Sequence, residues 1–98
     1  MKAKLLVKRR IVLSTDQFAE IMIWQVPRTI AGSAHAFKYR LAFVVSGKCV
    51  IRYDNEAGKG DHRHVGESEK AYRFVDLDRL MADFERDIAR WQDENGNA

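Results

Sequence analysis

The sequence predicts an α+β fold: an antiparallel β-sheet of four or five strands, arranged as a meander, with one C-terminal α-helix packed on one face. Three observations carry that expectation. Apolar and polar residues alternate with a period of two, in runs that continue as far as Val75. Short stretches holding Gly, Ser, Asp or Pro separate the runs. From Leu77 the apolar spacing changes to three and four, which marks one face of a helix. The sheet is placed at about residues 2–75 and the helix at about 77–92, in a single domain. A chain of 98 residues can bury one modest core without staples.

The first run, Lys2 to Leu13, puts Ala3, Leu5, Val7, Ile11 and Leu13 on one face and Lys2, Lys4, Lys8 and Arg10 on the other. Arg9 breaks the alternation, which predicts a bulge or a bend nearby. Ser14, Thr15 and Asp16 supply a turn. The second strand spans Phe18 to Val26 and is closed by Pro27. It is apolar on both sides, with Ile21 and Ile23 against Met22, Trp24 and Val26. Such a strand is central, or turns one face to a partner. Arg28 to Ala36 has no period and reads as a loop, with His35 an exposed loop histidine.

Lys38 to Tyr53 is the clearest hairpin. Tyr39, Leu41 and Phe43 alternate with Lys38, Arg40 and Ala42, and beyond Ser46-Gly47 the apolar set is Cys49, Ile51 and Tyr53. A two-residue turn would mix the two faces, because a slip of one residue flips every side chain. The pattern therefore predicts a three-residue loop at Val45, Ser46 and Gly47, and a buried Cys49. His62 to Val65 could form one short strand and Ala71 to Val75 another. Asp76 caps the helix. Leu77, Leu80, Met81, Phe84, Ile88 and Trp91 form its apolar stripe, with Asp83, Glu85 and Asp87 off that stripe.

Composition excludes several classes. Charged residues make up 32% and apolar ones 46%, which indicates a globular chain rather than a disordered one. One cysteine cannot form an internal disulfide, and a reducing cytoplasm is the simplest home. No apolar run approaches the ~20 residues of a membrane span, and no membrane partner is expected. The net charge of +3 conceals an asymmetry: residues 1–53 carry +8 and residues 54–98 carry −5. A basic half suggests a polyanion such as nucleic acid. Lys4, Lys8, Arg10, Arg40 and Arg52 are the candidate nucleic-acid-binding residues, on the sheet face away from the helix. The plain alternative is a solvated basic face balanced by an acidic helix.

The chemistry concentrates between Arg52 and Gly66, where Asp54, Asn55, Glu56, Lys59, Asp61, His62, Arg63 and His64 fall within fifteen positions. In an extended backbone His62 and His64 share one side and Arg63 takes the other. Three uses compete. Two imidazoles of ordinary pKa near ~6.5 can serve as acid and base in RNA cleavage, with Lys59 and Arg63 on the phosphate and Asp61 nearby. His-x-His on a strand can instead bind a metal with Asp54, Glu56 or Asp61. Or the segment is a polar loop with local hydrogen bonds. The acid–base use is taken as the working expectation, so no metal and no cofactor are assigned. No phosphate-binding glycine loop or nucleophile motif is present.

The order K-Y-R-L-A-F-V-V-x-G-x-C-V-I-R-Y-D-N-E-x-G-K-G-D-H-R-H-x-G, then Y-R-F and L-x-x-D-F, resembles the TumE-type toxins of bacterial type II toxin–antitoxin modules. The resemblance extends to I-W-x-V-P at Ile23 to Pro27. It implies a small cytoplasmic toxin neutralised by a cognate antitoxin that is itself a DNA-binding protein. It carries no catalytic residues with it. The expected function is action on RNA or the translation machinery through Lys59 to His64, and the homodimeric state is left open. The alternative is a non-catalytic module that binds nucleic acid or protein on its basic sheet face. Formation of a product separates the two.

Overall fold

The structure, a computed structural model, describes residues 3–27, 35–56 and 59–96. Lys2 and most of the predicted loop, 28–34, lie outside the described residues. Strands β1 (Lys4–Ser14), β2 (Gln17–Gln25), β3 (Phe37–Val45), β4 (Lys48–Glu56), β5 (Gly60–Val65) and β6 (Ser68–Ala71) are followed by helix α1 (Leu77–Glu94). The six strands form one antiparallel sheet in the order β1-β2-β3-β4-β5-β6, a meander with one strand more than the upper expectation. The extra element is β6, which pairs Ser68 to Ala71 with β5 and leaves Tyr72 onward outside the sheet. The predicted strand at Ala71 to Val75 is therefore displaced. The four residues of β6 are all exposed, so no apolar alternation marks them.

Helix α1 begins where predicted. The Asp76 side chain accepts from Arg79 N at 2.7 Å and satisfies a donor of the first turn. At its far end Asn95 N donates to Trp91 O. The helix lays Leu80 and Phe84 on the sheet, with Met81, Ile88 and Trp91 partly buried around them. Opposite stand Ala19, Ile21 and Ile23 of β2, Tyr39, Leu41 and Phe43 of β3, and Ile51 and Tyr53 of β4. The Phe43 and Trp91 rings meet edge to face at 5.5 Å. Asp83 and Asp87 are buried as well, contrary to their placing off the stripe, because Tyr72, Tyr53 and Arg63 offer them partners.

The hairpin of β3 and β4 reaches the expected core by another route. Val45 pairs with Lys48, so Ser46 and Gly47 form a two-residue turn, both at positive φ, 49° and 78°. The odd residue sits in β4 as a bulge: Val44 pairs with Cys49, and Phe43 with Ile51. Leu41 and Phe43 thus share a face with Tyr53 and Ile51, as the pattern requires. Cys49 joins Val44 on the opposite face and is exposed, which corrects its predicted burial.

A similar shift applies to β1. Arg9 pairs in register with Ile21, and the irregularities fall between Leu5 and Val7 and between Val12 and Ser14. Leu5 consequently lies opposite Trp24 on the uncovered face, and Lys4 lies opposite Gln25, on the helix side. No described helix is long and apolar enough to cross a membrane.

Candidate functional site

The face of the sheet away from α1 has no covering element among the described residues. The registers place two polar rows across it. One runs Lys8, Met22, Arg40, Asp54 and His62; the other runs Arg10, Glu20, Ala42, Arg52, His64 and Glu69. Of the predicted nucleic-acid-binding residues, Lys8, Arg10, Arg40 and Arg52 share this face, and Lys4 does not. Aromatic side chains lie among them: the Arg10 guanidinium rests over the Phe18 ring at 3.9 Å, and Lys38 lies 6.0 Å from the Trp24 centroid.

At the β4–β5 end the two rows close into a four-residue cluster. His62 Nε2 lies 2.5 Å from Asp54 Oδ1, and His62 Nδ1 donates to the Gly60 carbonyl at 3.1 Å. Both nitrogens of this buried ring therefore face oxygen acceptors. Arg52 Nε stands 3.1 Å from Asp54 Oδ2, an ion pair without the alignment of a hydrogen bond. Its Nη2 donates to His64 Nε2 at 2.9 Å. Glu69 is 3.7 Å from the same histidine nitrogen. The two imidazole rings meet edge to face with centroids 5.1 Å apart. His62 is clamped; His64 and Arg52 keep 25% and 32% of their side-chain surface open.

The remaining predicted residues go elsewhere. Arg63 passes to the helix side, where Nε and Nη2 donate to Asp87 Oδ2 and Oδ1 at 2.6 and 2.9 Å, and Nε also to Tyr53 O–H. Tyr53 O–H donates to Asp87 too. Burial alone would raise the Asp87 carboxyl; hydrogen bonds from Arg63 and Tyr53 outweigh it and hold it below the usual range. The bond to Asp87 pushes Arg63 further up, and burial pushes Tyr53 up. Asp83 is likewise held low against its burial, by Tyr72 and Arg79 and by the charge of Arg86.

Asp61 also turns to the helix side. It accepts from Tyr39 O–H at 2.8 Å and contacts His35 Nε2 at 2.6 Å. His35 stacks on Phe74 with centroids 3.8 Å apart, and its Nδ1 accepts from Phe37 N. It is thus a half-buried partner of Asp61, not an exposed loop residue. Burial, with the bond to Asp61, raises Tyr39. Lys59 is exposed in the turn before β5. The stretch Lys59 to His64 is therefore divided between two faces by the strand that carries it.

The sequence suggests Asp54 only as a metal ligand, yet it is the hub of the cluster. Its signal is the register of β4 against β5, which pairs it with His62. One donor atom each from Asp54, His62 and His64 lie within 4.8 Å of one another, a spacing from which a metal could be held. The donor set fits, but the fourth neighbour is the Arg52 guanidinium on His64, which opposes a cation there. Of the other carboxylates considered for a metal, Asp61 is turned to His35 and Tyr39, and the side chain of Glu56 lies outside the described residues.

A family model described as Toxin TumE matches residues 2–92. No curated protein matches the chain, and no solved structure does.

Proposed function

The chain belongs to the TumE toxin family, and from that premise we propose that it is the toxin of a toxin–antitoxin module and acts by cleaving RNA on the open face of its sheet. The observation that carries the proposal is the hydrogen bond from Arg52 Nη2 to His64 Nε2 at 2.9 Å. A cation for the phosphate and a proton-transfer group stand side by side, both partly open to solvent, on a face that also holds Lys8, Arg10 and Arg40.

In this mechanism Arg52 leaves His64 to take the scissile phosphate, for which its planar fork is suited. His64 Nε2, freed of its donor, removes the proton of a 2′-hydroxyl. The 2′-oxygen bonds to phosphorus as the bond from phosphorus to the 5′-oxygen breaks, and protonated His64 returns its proton to that leaving oxygen. Arg52 offsets the charge that develops on the non-bridging oxygens. Asp54 and His62 position the pair: Asp54 holds Arg52 by charge and is itself held by His62. His62 and His64 thus act together, in unequal roles.

The cytoplasm is the proposed compartment and a DNA-binding antitoxin the proposed partner, both from family membership. The test is expression in a host without the partner. The parent should arrest growth; His64→Ala and Arg52→Ala should each relieve the arrest while the protein stays folded and abundant. Arrest undiminished in both variants would place the chemistry elsewhere. The binding-module alternative forecasts no RNA product at any dose.

A further inference from the structure

We propose a second phosphate-binding element on the helix side of the molecule, a cationic cleft between β5, β6 and α1 that holds the backbone of the same single-stranded RNA. The proposal rests on the reading that RNA is the target. The cleft has a volume of about 470 Å³ and is lined by Arg63, Lys70, Arg73, Arg86 and Arg90, with Tyr72 at its wall. It lies outside the cluster of Asp54, His62 and His64.

Several features point to a polyanion. Arg63 is committed to Asp87 and Arg86 to Asp83. Lys70, Arg73 and Arg90 form no ion pair with any described residue, and all three are exposed. Arg86 and Arg90 are four residues apart on α1, so they share a helix face, where like charges repel. Of the acidic residues in that helix segment, Asp83 and Asp87 are buried, while Glu85 is exposed beside Ile11, Leu13 and Met81, outside the cleft. Crowding unpaired cations around a concavity is unfavourable until an anion enters. Guanidinium groups donate bidentately to phosphate oxygens, and several of them around one concavity suit the repeated charges of a phosphodiester backbone.

Position supplies the link to the open face. His64 pairs with Glu69 and Arg63 with Lys70, so the cleft and the Arg52–His64 pair flank the same edge strand, β6, on its two sides. A strand of RNA passing over that short edge meets Arg52 on one side and the cleft on the other.

The test uses a labelled single-stranded 2′-O-methyl oligonucleotide, which the proposed mechanism cannot cut, titrated onto the full chain by fluorescence anisotropy at several salt concentrations. Arg73→Glu with Arg90→Glu should weaken binding at least tenfold. It should also lower the slope of log affinity against log salt by about 1–2, at roughly 0.7 for each phosphate no longer neutralised. If charge reversal disturbs folding, Arg73→Gln with Arg90→Gln gives the same comparison. Unchanged affinity and slope would overturn the cleft. So would intact RNA binding with loss of antitoxin neutralisation, since the occupant would then be an acidic protein segment. If His64→Ala still cleaves RNA while the cleft variant binds weakly, the open-face chemistry fails and the cleft stands.

Discussion

Strand alternation sends His62 and His64 to the open face and Arg63, between them, under the helix, where it meets Asp87. Three adjacent residues therefore have three different mutational consequences. His64→Ala should lower RNA cleavage by about 10²–10⁴-fold, the usual contribution of a proton-transfer group, with little change in thermal stability. His62→Ala should lower both activity and stability, because it removes a buried ring with two oxygen partners. Arg63→Ala should act on stability first. It leaves the Asp87 carboxylate with Tyr53 O–H but no cation, and breaking such pairs costs about 3–5 kcal/mol when fully buried; the partial exposure of Arg63 points to the lower end. Equal losses of activity with no loss of stability in all three would contradict the division of faces. Cys49 gives an independent check of register. Exposed on the open face, it should react quickly with a water-soluble thiol reagent in the native protein, and slow labelling would show that the β4 bulge is misplaced.

Among the elements, α1 was legible in its start and its apolar face: the cap, the stripe and the change of period all lie in local sequence. Phe84→Ala should cost about 3–5 kcal/mol, measured by urea unfolding, since the ring is fully enclosed. A cost below about 1 kcal/mol would mean the helix does not cover the core. The hairpin was legible in parity but not in mechanism. Leu41, Phe43, Ile51 and Tyr53 demanded one odd residue, and nothing local tells whether a loop or a bulge supplies it. Strand β6 was not legible, because an exposed four-residue edge carries no apolar pattern. The burial of the α1 carboxylates was hidden for a related reason: Asp83 and Asp87 find Tyr72 and Arg63 only through tertiary packing. Those partners set the pH response. Both carboxylates are depressed, so their stabilisation is complete above about pH 4, where an unfolded Asp ionises. It is lost as pH falls through the folded values. Tyr39, Tyr53 and Tyr72 are raised, so the stability they retain below about pH 10 is lost as pH rises beyond it. The urea midpoint should fall on both sides of that window, and Asp87→Asn should flatten the acid limb. A parent midpoint that stays level from about pH 5 to about pH 2 would refute the assignment.

At the scale of the molecule, the sheet face away from α1 has no covering element among the described residues, and that face gathers basic, aromatic and imidazole groups. The charge asymmetry of the two halves foretold the basic face, yet it hid the cleft: the acidic half of the chain supplies Lys70, Arg73, Arg86 and Arg90. The candidate site was legible as a stretch and as two histidines on one side. The place of Asp54 at the centre of the cluster and the hydrogen bond from Arg52 to His64 were not, since both depend on cross-strand neighbours. The central claim is that His64 and Arg52 cleave RNA through its 2′-hydroxyl, and it is tested most directly with purified protein and matched ribo- and 2′-O-methyl oligonucleotides under excess chelator. The account predicts cleavage of the ribo-oligonucleotide alone, leaving 2′,3′-cyclic phosphate and 5′-hydroxyl ends, and loss of that product in His64→Ala. Cleavage of the 2′-O-methyl strand, dependence on added metal, or a His64→Ala variant as active as the parent would contradict it.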